Sequence, residues 1–407
     1  MIRFGPSGIP LSCKGRTLRD GIEDVHNLGL TAMEVQLVRV NLNERYATDE
    51  DIDHTIHELP GELVVRIGRP EERKMRFISD FHTKIERGDL LYPLASGVAR
   101  DYEELEELGR IAKELDIQMS LHAPYYMDLA DVDGLAEKSR DAILWGSLLA
   151  HAVQGTTVVA HLGRYGGLAP TEALEKIREN LSIVRQRMDA ANLSPLLGVE
   201  ASGLQEVVGS LDEILYLGNS IKGVVPVLNF AHLHAREGGI LRRPEDFAMI
   251  LDKAQRFANG PFHAHFSGVE HAGGNEIRYT PIKKGDLRFE PLAECLLGDS
   301  YDITLISSSP LLEHDAMYMR VIFDRVLAKK AARPLEPERP PERLLLPTAK
   351  PVAKPAPKPV AKRAEKKPSQ RLAARKRKPE AKRRPKSRPA KLRKTAKPKR
   401  KAARRRR

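Results

Sequence analysis

"TTVVAHLGRYGGLAPTEALEKIRENLSIVRQRMDAANLSPLLGVE", residues 156–200, sets one long amphipathic stretch between two short apolar runs. The runs "TTVVAH" (156–161) and "LLGVEA" (196–201) read as buried strands. The stretch between them has helical periodicity. Pro170 and Thr171, followed by Glu172 and Glu175, suit a helix start. Strand, helix, strand is the repeating unit of a parallel sheet. The same rhythm continues outward in both directions. "IRFG" (2–5), "AMEVQLV" (32–38), "QMSLH" (118–122), "GVVPVLN" (223–229), "FHAHFS" (262–267) and "ITLIS" (303–307) are further strand candidates, and "RDYEELEELGRIAKEL" (100–115) is another helix. Eight strands interleaved with helices over residues 1–330 predict an α/β fold, a closed (β/α)8 TIM barrel rather than an open sheet.

One interval breaks the rhythm. Val38 to Gln118 is too long for a single crossover helix, so residues 44–98 are read as an insertion after strand two. "GELVVRIGRP" (61–70) and "GDLLYPLASG" (88–97) could pair as strands within it. Such an insertion emerges at the C-terminal face of a barrel, where active sites lie. It is therefore either a lid or substrate-gripping element, or a decorative or oligomerising insert.

Charge divides the chain in two. Residues 350–407 hold 28 Lys and Arg against two acids, a balance of +26. The whole chain stands at +13, so residues 1–349 carry −13. The tail is Lys, Arg, Pro and Ala with few apolar residues, which predicts disorder, with residues 331–349 as a Pro-rich linker. So dense a positive charge points to phosphate neutralisation on DNA, or on RNA. The basic runs Arg375, Lys376, Arg377, Lys378, Lys382, Arg383, Arg384, Lys386, Arg388, Lys399, Arg400, Lys401, Arg404, Arg405, Arg406 and Arg407 are the expected contacts. The plainer reading is a solvated tail that aids solubility or touches acidic surfaces.

Two cysteines, Cys13 and Cys295, make no disulfide framework and suit a reducing compartment. The N-terminus lacks a signal-peptide pattern, and the uncharged stretch 142–163 reads as a helix followed by a strand rather than a membrane span. The expectation is a cytoplasmic protein without a membrane partner, associated with the nucleoid if prokaryotic.

The strand ends carry the chemistry. His122 and His161 end strands three and four, Glu200 lies on strand five, Asn229 and His232 follow strand six, and His263 and His265 lie on strand seven. In a barrel these ends converge. Imidazoles and a carboxylate converging there are what a zinc site with an open position for water needs. Any one of these histidines alone would be an ordinary core residue. Members of the pairs His263/His265 and His232/His234 do not easily share one ion, and His265 and His232 are the favoured members.

Six motifs in order, "SLHAPY" (120–125), "VVAHLG" (158–163), "LGVEASG" (197–203), "LNFAHLHAR" (228–236), "HAHFSG" (263–268) and "ISSSPLLEHDA" (306–316), resemble the endonuclease IV family of apurinic/apyrimidinic endonucleases, in the xylose-isomerase-like TIM-barrel superfamily. The resemblance spans roughly residues 1–325 outside the insertion. It implies zinc-dependent cleavage of the phosphodiester 5′ to an abasic site, with three zinc ions. By resemblance, His122, His161 and Glu200 hold the first ion. Glu200, His265 and two further carboxylates hold the second, and His232 with an Asp-x-His pair holds the third. Glu200 would be the catalytic centre of the set. This chain departs at four positions: Asn229 and Ser308 stand where carboxylates are expected, and Ile277 and Tyr279 where the Asp-x-His pair is expected. Glu270, Glu276 or Glu313 could fill a vacant ligand position. Holding several dications with one clear carboxylate is electrostatically unfavourable, so at most one firmly bound zinc is expected, with Asn229 at best a weak ligand.

Three readings of function follow. The first is an endonuclease IV-like DNA-repair hydrolase with an incomplete ligand set. The second is a non-catalytic nucleic-acid-binding barrel that uses its tail, with Tyr125, Tyr126, Arg164, Arg66, Arg69 and Arg73 as candidate grips on a distorted backbone near the pocket, or else ordinary surface residues. The third is a sugar isomerase or epimerase, whose implied metal set at Glu200, Asn229, His265 and Ser308 is the damaged one.

Overall fold

The structure is a computed structural model and describes residues 1–38, 40–256, 261–298 and 301–332. The basic tail and all but the start of the linker therefore lie outside the described residues.

Eight parallel strands form the centre: β1 (Ile2–Pro6), β2 (Ala32–Gln36), β3 (Gln118–His122), β4 (Thr157–Ala160), β5 (Leu196–Glu200), β6 (Val224–Asn229), β7 (Phe262–Phe266) and β8 (Ile303–Ser307). They pair in the order β1-β8-β7-β6-β5-β4-β3-β2. A parallel bridge between Ser7 and Glu34 brings the two ends of the sheet together. The eight expected strands are all present, and the TIM barrel expectation holds. The strands read as nearly unbroken apolar runs because helices cover their outer faces.

Around them run α1 (Leu18–Asn27), α2 (Tyr102–Glu114), α3 (Leu135–Ala152), α4 (Pro170–Ala190), α5 (Leu211–Ser220), α6 (Phe230–Arg236), α7 (Pro244–Gln255), α8 (Phe289–Gly298) and α9 (Glu313–Ala331). Local sequence sets several starts. Pro170 occupies the first turn of α4, Ser210 and Glu213 form a capping box on α5, and the Asp101 carboxylate accepts the Glu104 amide at the head of α2. Residues 142–163, uncharged in sequence, are the end of α3 and then β4. Among the described residues no helix is long and apolar enough to cross a membrane.

The insertion is a four-stranded antiparallel sheet in the order Arg45–Tyr46, Leu90–Pro93, Val64–Pro70, Met75–Ile78. It is fastened to the flank of the barrel. The buried Tyr102 hydroxyl of α2 donates to the Val64 carbonyl at 3.0 Å. The Arg66 guanidinium lies 4.2 Å from the Phe77 ring centre, 4.3 Å from Tyr92 and 5.3 Å from Trp145 of α3, and pairs with Asp141 at 3.2 Å. Arg69 is bound to Asp89 at 2.8 Å and Glu86 at 2.6 Å. Arg66 and Arg69 are thus engaged within the fold and are not free to grip a nucleic-acid backbone.

A second excursion follows β7. Gly268–Ala272 and Asn275–Thr280 form an antiparallel hairpin turned by Gly273 and Gly274 at φ of 59° and 75°. Its turn leans on the β5 loop, where Glu276 N donates to Gly203 O at 2.8 Å and Gln205 N to Asn275 Oδ1 at 2.8 Å. This carries Glu276 and Tyr279 back over the strand ends.

Candidate metal and polar site at the barrel mouth

Glu200, 2 % exposed at the end of β5, is the centre of the site. Its Oε2 lies 3.1 Å from His122 Nε2 and 3.3 Å from His161 Nδ1. Its Oε1 lies 2.7 Å from His265 Nδ1 and accepts Asn229 Nδ2 at 2.8 Å. Burial opposes its charge, but the imidazoles of His265, His161 and His122 outweigh burial and hold its pKa well below the ordinary value.

Donor chemistry at the first group suits a divalent ion. His122 Nδ1 lies 2.7 Å from the Ala123 carbonyl. A carbonyl can only accept, so Nδ1 carries a proton and Nε2 is the nitrogen that faces Glu200. Backing of this kind is what orients metal-bound histidines. His161 Nε2 is shielded from solvent and has no hydrogen-bond partner among the described residues. Donor atoms of His122, His161 and Glu200 lie within 4.8 Å of one another. Two imidazoles and one carboxylate leave a tetrahedral ion one position for water. Tyr125 roofs the pair, stacked at 17° on His122 with ring centres 5.2 Å apart.

Beneath them is a residue the sequence reading missed. Glu34 of β2 is fully buried and its Oε2 lies 2.9 Å from His263 Nε2 and 3.1 Å from His265 Nε2. His263 and His265 therefore converge on one oxygen atom, against the expectation that only one could serve. His265 bridges Glu34 and Glu200. Despite its burial, these two carboxylates raise its pKa to about 10. The only signal in the sequence is a lone acid inside the apolar run "AMEVQ".

Asn229 Oδ1 accepts the His232 amide at 3.1 Å as the cap of α6, so its Nδ2 must face Glu200 and the Tyr279 hydroxyl, the latter at 2.8 Å. Tyr279 takes part in the site: its hydroxyl is 2.7 Å from His232 Nε2. Ile277 is 58 % exposed and Ser308 is half-buried, and neither brings a charge. Of the three acids considered as replacements, only Glu276 arrives, 3.0 Å from His232 Nε2. Glu270 pairs with Arg278, and Glu313 accepts the Leu11 and Ser12 amides away from the site. His234 points elsewhere: its Nδ1 accepts the Leu241 amide, and its Nε2 faces Asp286 at 3.2 Å. That tautomer leaves Nε2 protonated, so the group His234, His271 and Asp286 ties the hairpin to α6 and is no metal site.

A cleft of about 710 Å³ opens over this arrangement, lined by Tyr125, Tyr126, His161, His232, Glu276 and Tyr279 among others. Arg164 also lines it and pairs loosely with Glu206 at 3.6 Å.

A strand-end site at the mouth of a parallel eight-stranded barrel defines a class, and the comparisons agree with it. The chain belongs to the xylose isomerase-like TIM barrel family, whose model matches residues 82–309. An uncharacterized protein of Methanocaldococcus jannaschii is 28 % identical over 256 residues, covering 61 % of this chain and 91 % of that protein. Endonuclease IV from Thermus thermophilus superposes with a TM-score of 0.50 at 20 % identity, over 80 % of this chain and 99 % of that one. A D-tagatose 3-epimerase-like protein gives a TM-score of 0.46 at 19 % identity, over 56 % and 85 %. Similarity at this level is one of fold, and it does not choose between hydrolysis and epimerisation.

Proposed function

We propose that the chain is an endonuclease IV-like phosphodiesterase that incises DNA 5′ to abasic sites, with one zinc ion held by His122, His161 and Glu200. The observation that carries this reading is the contrast between two ligand sets. The nuclease-like set keeps its donors, with the His122 tautomer fixed by the Ala123 carbonyl. The set a sugar isomerase would use is closed: the Asn229 oxygen is spent on capping α6, its amine faces Glu200, and residue 308 is a serine. A bound zinc would supply a Lewis acid and an acidified water. The chain's own residues shape the cleft, stack Tyr125 over His122 and orient the donors.

The tail would supply affinity. An acidic body is repelled by DNA, and a segment at +26 offsets that repulsion and holds the barrel near its substrate. Phosphate contacts position without reading bases, so abasic recognition falls to the cleft.

The test pairs metal content by mass spectrometry with cleavage of a duplex bearing one abasic site, on one purified sample. At least one zinc per chain, with a 5′ incision that His161→Ala abolishes, is the expected result. Little metal and no incision, with tight salt-sensitive DNA binding, would instead leave a barrel that binds nucleic acid without cutting it.

A further inference from the structure

A second cleft adjoins the one at the barrel mouth. Its volume is about 750 Å³, and Tyr126, Met127 and Leu135 line both. The insertion contributes Arg66 and Phe77 to its walls, and α3 contributes Asp141 and Trp145. The family model matches from residue 82, so Arg66 and Phe77 lie outside it. Two of the lining rings are left uncovered: Phe77 is 50 % exposed and Tyr126 is 89 % exposed. Exposed Val38 and Leu135 line the same space, and apolar groups gathered in this way mark a binding surface. Arg66 is held in place by the rings of Phe77, Tyr92 and Trp145 and by Asp141. Its Nε and the Trp145 Nε1 are shielded from solvent and have no hydrogen-bond partner among the described residues. Shielded donors of this kind are costly unless something supplies an acceptor.

Charge narrows what this cleft can take. Among the described residues that line it, Arg66 and Lys138 balance Glu137 and Asp141. A phosphate would find no excess of positive charge there. An uncharged planar group with oxygen or nitrogen acceptors suits both the rings and the unpaired donors. A nucleobase is such a group, with a face that stacks on aromatic rings and edges that accept hydrogen bonds. We propose that the cleft binds an unstacked base of single-stranded DNA. That this strand is the one incised, with the base lying beside the abasic site, rests on the phosphodiesterase reading and on the three residues the two clefts share. The insertion is then a substrate-gripping element. Stacking is open to every base, so the site adds affinity for unpaired DNA without reading its sequence. Tail and cleft divide the strand between them, phosphates to the one and a base to the other.

Trp145 is the only tryptophan of the chain and lies in the cleft wall, so its fluorescence reports on occupancy. The experiment titrates the full-length protein with two single strands of equal length and equal phosphate count. One is oligothymidylate, and the other consists of tetrahydrofuran units that carry no base. The tail meets the same charge in both. Oligothymidylate is expected to bind roughly tenfold to a hundredfold more tightly and to change the Trp145 emission, while the baseless strand leaves the emission near its starting value. Phe77→Ala is expected to abolish both the preference and the emission change, and Phe77→Tyr to keep both. Metal content and affinity for the baseless strand equal to wild type show that the Ala variant is folded. Equal affinity of the wild-type protein for the two strands, or a preference that survives in Phe77→Ala, overturns the proposal. The readout is binding, so it stands apart from cleavage: a base preference lost in Phe77→Ala, in a protein that incises no abasic site, supports the cleft and removes the phosphodiesterase reading alone.

Discussion

Asn229 and Glu200 are joined at 2.8 Å by an amide N–H that points at a carboxylate oxygen, on neighbouring strands of the barrel. The orientation is not free, because the other end of the same amide caps α6 through the His232 N–H. A neutral donor thus stands where a carboxylate would help hold a second cation. Among the described residues, two dications here would face the buried Glu34 and Glu200, with Glu276 further out against His232, an excess of positive charge. One dication leaves His265 free to sit between those two carboxylates, as it does.

Restoring carboxylates should reverse this. Asn229→Asp keeps a residue able to cap α6 but sets a second anion against Glu200. Combined with Ser308→Glu, it should raise the metal content of the purified protein by about one ion per chain. It should also lower the melting temperature in chelator and enlarge the gain on adding zinc, since a ligand that binds only the folded state stabilises it. Unchanged metal content by mass spectrometry would undercut the placement of these two positions.

Glu34 gives a prediction about stability rather than metal. Among the described residues its carboxylate is the sole partner found for His263 Nε2 and one of two for His265, all three residues being buried. Removing one member of a buried ionic group typically costs about 3–5 kcal/mol. Glu34→Gln should therefore lower the denaturant midpoint by an amount of that order without changing the slope of the transition. Glu34→Asp should recover part of it. A loss under about 1 kcal/mol would mean that His265 is held by Glu200 alone.

The barrel was legible because each strand is an apolar run and each crossover has a helical period, both local properties. The cluster of side chains around Glu200 was legible for a related reason: strand ends converge by geometry, so residues at the ends of separate runs could be placed together. Glu34 was not legible. Its partners come from β7, reached only when the sheet closes at Ser7 and Glu34, and one acid in "AMEVQ" reads locally as an alternating strand. The hairpin did leave a trace, two glycines between alternating residues in "VEHAGGNEIRYT", but the same residues fall where the resemblance implies an Asp-x-His ligand pair. Sequence alone could not show that Tyr279 and Glu276 fold back onto His232, because that depends on the turn meeting the β5 loop at Gly203 and Gln205.

The buried charges predict a pH profile for the metal-free protein. The His265 pKa is raised to about 10, so its proton stabilises the fold fully below the unfolded value of about 6.5, and that contribution fades as pH rises through about 10. Glu34 and Glu200 are held below the ordinary carboxylate value, so their contribution is present above about 4.5 and is lost as pH falls below it. Burial lowers the His161 pKa to about 3, so its neutral form adds stability above about 6.5 that is lost as pH falls toward 3; in excess chelator the melting temperature should therefore peak near about pH 6.5 and decline on both sides. Glu200→Gln should flatten the alkaline decline, because His265 then loses one of the two anions that hold its proton. An alkaline limb identical in that variant would show that some other group governs it.

Removing residues 350–407 is the most direct test of how the chain meets nucleic acid. Those residues carry +26 and leave a body at −13. If the tail neutralises phosphates, affinity for undamaged duplex should fall by orders of magnitude at moderate salt, and the dependence of log K on log salt should flatten, each lost phosphate contact removing about 0.9 from the slope. The described residues that line the cleft all lie outside the deleted segment, so cleavage of a small p-nitrophenyl phosphodiester should survive while incision at limiting DNA concentration drops. Affinity and salt slope unchanged in the truncated chain would place DNA binding on the barrel. The positive groups at its mouth would then have to outweigh its net negative charge.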